Sequence, residues 1–69
     1  MYFVIELQTN GGQTANIVTS HATREEAESK YHTVLAAAAV SSVEKHAAVM
    51  ISDEGFPIMN QCYKHPVQA

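Results

Sequence analysis

Residues 23–41, TREEAESKYHTVLAAAAVS, decide how this chain folds. Thr23-Arg24-Glu25-Glu26 has the form of a capping box, in which the Thr23 hydroxyl accepts from the Glu26 amide and the Glu26 carboxylate reaches back. Glu25, Glu26 and Glu28 add negative charge at the positive end of the helix dipole. Ala27, Tyr31, Val34, Leu35 and Ala38 follow at i, i+4, i+7, i+8 and i+11, which places them on one helical face. The spacing predicts a helix from Arg24 to about Ser41, ended by Ser41-Ser42, with Val43-Glu44-Lys45 leading onward.

Both flanks of the helix read as β-hairpins. Tyr2 to Gln8 alternates and is rich in β-branched and aromatic residues. Thr9-Asn10-Gly11-Gly12 reads as a turn, with Asn-Gly supplying positive φ angles. Gln13 to Ser20 is the more polar return strand. Beyond the helix, His46 to Ser52 is nearly continuous in apolar character, as central strands are. Asp53-Glu54-Gly55 is a short loop and Phe56 to Lys64 a fourth strand. There Pro57, lacking an amide proton, fits an edge or a strand's first position. Residues 65–69 read as a frayed tail, leaving 1–64 as a single domain.

Direction then sets topology. The second strand runs up, the helix returns down, and the third strand runs up. A fully antiparallel sheet therefore needs the third strand beside the first, in the order 2-1-3-4. The expected fold is α+β, a two-layer ββαββ domain with one helix on one face of a four-stranded antiparallel sheet. The helix-side core is expected to hold Phe3, Ile5, Leu7, Ala15, Ile17, Ala47, Val49, Ile51, Phe56 and Ile58. Tyr2, Val4, Val18, Ala48, Met50, Met59 and Tyr63 then fall on the opposite face. An open antiparallel face is usually polar, so an apolar one marks an interaction site. The expected interface is Tyr2, Val4, Val18, Met50, Met59 and Tyr63, with Ala36 and Val40 on the back of the helix.

Size points the same way. A chain of 69 residues buries only about 60% of the surface it exposes when unfolded. Ten residues are Ala, two are Leu and none is Trp, so the apolar content brings little area. Cys62 is the sole cysteine, which excludes an internal disulfide and leaves it as a small apolar residue. Small scaffolds without such staples often oligomerise. A homo-oligomer, most simply a dimer, is expected, or else a different protein partner. Burial of the uncovered sheet face, of an edge strand, or of both would drive it.

Other function classes find no support. The formal charge is −3, and Arg24, Lys30, Lys45 and Lys64 are scattered, which argues against nucleic acid. The apolar run Val34 to Val40 is too short to span a bilayer. The opening residues have no basic segment or cleavage site of a signal peptide, so a cytoplasmic location is expected. His21, His32, His46 and His65 lack metal-ligand spacing, and the C-x-x-H of Cys62 and His65 has no second pair. No nucleophile with an oriented base is visible. Neither catalytic residues nor a cofactor are expected, and the chain is not expected to be an enzyme.

Residues 26–41, EAESKYHTVLAAAAVS, together with the opening MYFVIELQ and the later Asp53-Glu54-Gly55, resemble a group of very short uncharacterised proteins of gut Clostridia and their prophages. Such proteins are often encoded near phage structural genes. The resemblance covers nearly the whole chain, implies a phage-associated accessory or structural role, and transfers no activity or site residue. The leading expectation is thus a non-enzymatic, self-associating interaction or structural protein. The alternative is a regulator or inhibitor that docks on a host protein through the acidic helix start, Glu25, Glu26 and Glu28.

Overall fold

The structure, a computed structural model, describes residues 1–66. The elements run β1 (Tyr2–Asn10), β2 (Gln13–His21), α1 (Arg24–Ala39), β3 (Lys45–Ser52) and β4 (Pro57–Lys64). The four strands form one antiparallel sheet in the order β2-β1-β3-β4. The α+β architecture and strand order are those the sequence predicts.

Local chemistry explains most boundaries. Gly11 and Gly12 sit at φ 61° and 80° between Asn10 and Gln13, which pair. Positive φ at both central residues gives a two-residue turn whose twist matches the strands. The positive angles fall on Gly-Gly rather than Asn-Gly, and Asn10 ends β1 instead. Between β3 and β4, the Gly55 N–H donates to the Ser52 carbonyl (3.0 Å) and the Ser52 N–H to the Phe56 carbonyl (2.9 Å). The Thr23 hydroxyl accepts from the Glu26 N–H at 3.2 Å, so α1 is capped as expected. The helix ends at Ala39 rather than Ser41, because Val40 leaves helical geometry and the Val40 and Ser41 amides bond to Ala37 and Ala38 carbonyls instead.

Ala27, Tyr31, Val34 and Ala38 are the buried residues of α1, and Leu35 packs against the same core, as the periodicity predicts. Across from them lie Val4, Ala48 and Met50, all at most 1% exposed. The alanines on both sides let helix and sheet approach closely, while Tyr31 and Met50 supply bulk. Near Pro57 the β4 register slips: Met50 faces Met59, but Ile51 faces Pro57. Ile58 is the extra residue of this bulge, and both Ile58 and Met59 pack on the core.

The two central strands, β1 and β3, are the other way up from the sequence expectation, while β2 keeps Ala15 and Ile17 on the helix side and Val18 on the open face. Tyr2, Val4, Met50 and Met59, expected on the open face, pack towards α1, and Ala48 and Met50 are wholly buried. Phe3, Ile5, Leu7, Ala47, Val49 and Ile51, expected in the core, alternate with them and lie on the far face. Ile58 packs on the core as expected, whereas Phe56 is exposed. The Tyr2–Val4–Glu6 side of β1 can lie beneath α1 because the Glu6 carboxylate, half-buried there, is paired with His46.

The tail also differs. The His65 N–H donates to the Glu44 carbonyl (2.8 Å), and its Nε2 donates to the Ala38 carbonyl (2.8 Å). His65 thus gives the Ala38 carbonyl at the helix C-terminus a second donor beside the Ser41 amide. The remainder of the expected tail, 67–69, lies outside the described residues. No helix among the described residues is long and apolar enough to cross a membrane.

Candidate interaction surface

The far face of the sheet is built by strand alternation. β1 contributes Phe3, Ile5 and Leu7, and β3 contributes Ala47, Val49 and Ile51, aligned across the ladder as Phe3–Ile51, Ile5–Val49 and Leu7–Ala47. On the other side of β1, Ile5 faces Val18, which is 54% exposed. Each of the six central side chains is half-buried, shielded by its strand neighbours, and no described helix or strand packs over this face. The residue pairs Leu7–Asn16 and Val49–Asn60 flank the apolar centre with neutral amides. Among the described strand residues, the charges on this face are Lys45 and Lys64, a facing pair at one end.

Of the residues expected at an interface, Val18 lies on this open face, and Val40 is 86% exposed at the end of α1. Ala36 is exposed on the helix. Val4 and Met50 are buried, and Tyr2, Met59 and Tyr63 are half-buried on the helix side. The sequence signal for an apolar open face was sound, because both faces alternate apolar residues. Which face α1 covers depends on a long-range polar pair that periodicity does not reveal.

That pair is the main polar feature beneath the helix. His46 is 4% exposed, and its Nε2 lies 2.5 Å from Glu6 Oε2. The Gln8 Nε2 donates to the same carboxylate oxygen at 3.0 Å. The register makes this possible, since Gln8 faces His46 while Glu6 is one pair along on the same face. His46 Nδ1 is buried without a hydrogen-bond partner among the described residues. Nearby, burial pushes the Tyr31 phenol above its usual pKa, with Tyr63 adding a smaller push in the same direction.

Little else offers chemistry. An open groove of about 290 Å³ lies at the hairpin end of β1 and β2, lined by Gln8, Asn10, Gln13, Thr14, Ala15 and Val43. Its wall is neutral and holds no titratable side chain. Cys62 is an exposed thiol on β4 rather than a buried one. Among the described residues, no group of three or more His, Cys, Asp or Glu gathers as metal ligands would. At the helix start, Glu28 is engaged by Arg24 (2.8 Å), and Glu25 and Glu26 remain exposed. Compared with protein-family models, curated proteins and solved structures, the chain matches none.

Proposed function

We propose that this chain is a non-enzymatic interaction or structural protein that self-associates by burying the uncovered face of its sheet. The observation that carries the reading is the apolar character of the uncovered face. The covered one holds Tyr2, Val4, Met50 and Met59 beside a glutamate and a histidine, and the uncovered one holds Phe3, Ile5, Leu7, Val49 and Ile51. Exposed antiparallel faces are normally polar, so a face comparable to its own core side in bulky apolar groups is best explained by a covering layer. A second copy suits this face. Its charges are two lysines at one end, so a two-fold partner laid with strand ends reversed keeps the lysine pairs apart. Such an assembly also supplies the core that a staple-free chain of this size lacks. A role among the short prophage-encoded proteins that the sequence resembles accords with this reading.

Light scattering across micromolar concentrations tests it. The expected mass is at least two chains of 7.5 kDa, and it decreases in Ile5→Lys and in Val49→Glu while helix and sheet signals persist. A single-chain mass for the unaltered protein throughout would overturn self-association.

A further inference from the structure

The two edges of the sheet are built differently. β4 begins at Pro57, carries the Ile58 bulge and ends at Lys64, and each of these obstructs pairing with another strand. β2 has none of these guards. Gln13–His21, QTANIVTSH, contains no Lys, Arg, Asp, Glu, Pro or Gly, and its nine residues pair with β1 in unbroken register. Seven of the nine are exposed, and Ile17 and Val18 at its centre are 52% and 54% exposed on opposite faces. The outer edge of β2 pairs with no described strand. Long, regular, uncharged edges are the ones that recruit another strand.

The hairpin fixes which backbone groups face outwards. In a two-residue hairpin the closing pair, here Asn10–Gln13, is hydrogen-bonded, and bonded pairs then alternate along the ladder. Gln13, Ala15, Ile17, Thr19 and His21 therefore turn their groups to β1. Thr14, Asn16, Val18 and Ser20 turn theirs to the outer edge. Those four positions are symmetric about Ile17.

We propose that β2 pairs antiparallel with β2 of a second copy about a two-fold axis at Ile17, joining two sheets into one of eight strands. In this register Asn16 pairs with Val18 and Thr14 with Ser20, in both directions, so all four outward residues form bonded pairs. Shifting the axis by one or more residues leaves at least one of them outside a matched pair. Ile17 meets its own counterpart at the central non-bonded pair, which buries two exposed isoleucines against each other. The axis stands perpendicular to the sheet, so both helices lie on one side and the two open apolar faces merge on the other. α1 lies mainly over β3 and β1, which leaves this edge unobstructed. The inference rests on the self-association proposed above and adds to the face contact a second one, the strand edge and register through which copies join side by side.

Cross-linking reads the register directly. In a Cys62→Ser background, Ile17→Cys places two thiols at a non-bonded pair, with Cα atoms about 4.5 Å apart, within disulfide reach. Asn16→Cys places them roughly 8 Å apart, beyond it. In a glutathione redox buffer, oxidised glutathione takes the two electrons and two protons. The Ile17→Cys chain should then cross-link roughly tenfold more than the Asn16→Cys chain, because pairing holds its thiols at high effective concentration. Adding Ile5→Lys removes the open-face contact but should leave this cross-link in place, which separates the two surfaces. Preferential cross-linking at Asn16, or equal cross-linking at both positions, would overturn the register. Absence of cross-linking in a chain that light scattering finds associated would overturn the edge and leave the face reading standing.

Discussion

Burying a carboxylate beneath a helix is costly unless a cation or hydrogen-bond donors meet it. Glu6 has two hydrogen-bond partners, His46 at 2.5 Å and Gln8 at 3.0 Å. Removing one member leaves the other stranded in a largely dry site, whereas removing both leaves an apolar contact. His46→Leu should therefore cost on the order of 2–3 kcal/mol in urea unfolding, and the double variant Glu6→Leu/His46→Leu should recover most of that loss. Equal costs for the single and double variants would contradict a coupled pair. Tyr31 gives a second residue-scale outcome. Its folded pKa is raised, mainly by burial, so folding favours the neutral phenol. That contribution is complete below the unfolded value of about 10 and is lost as pH rises through the folded value. Alkaline titration at the tyrosinate absorbance should find one of the three tyrosines ionising last, with stability declining at the same pH. Neither feature was legible beforehand: Glu6 and His46 are 40 positions apart, and only the β1–β3 register brings them together.

At the scale of elements, what periodicity and caps encode locally was readable. Thr23 and Glu26 announce the start of α1, and the structure places the hydroxyl on the Glu26 amide at 3.2 Å. Thr23→Ala should cost about 1 kcal/mol in thermal or urea unfolding, since it leaves that amide to water. The strand order was also readable, because an antiparallel sheet interrupted by one helix allows the third strand only beside the first. Face orientation was not. Both sets of alternating residues in β1 are apolar enough to serve as core, and the Glu6–His46 pairing beneath α1 is invisible to periodicity. The Ile58 bulge was equally hidden. It turns two consecutive residues, Ile58 and Met59, towards the core, which strict alternation forbids.

At the scale of the molecule, the sheet is sheltered on one of two comparably apolar sides. The helix that covers it is rich in alanine, packs over Val4, Ala48 and Met50, and leaves Phe3, Ile5, Leu7, Val49 and Ile51 facing away. Neighbouring substitutions in β1 should therefore have different consequences. Val4→Asp should unfold the chain, whereas Ile5→Asp should leave circular dichroism intact and lower the associated mass, as light scattering would record. The candidate surface was legible as a property of the sheet, a surplus of apolar alternation over what one helix can cover, but not residue by residue. The most direct measurement is the accessibility of side-chain methyl groups to a soluble paramagnetic chelate in solution NMR. Ile5, Leu7, Val49 and Ile51 should be as protected as Val4 and Val34, with Val40 strongly relaxed as the exposed reference. Relaxation of those four to the level of Val40 would mean that nothing covers the far face.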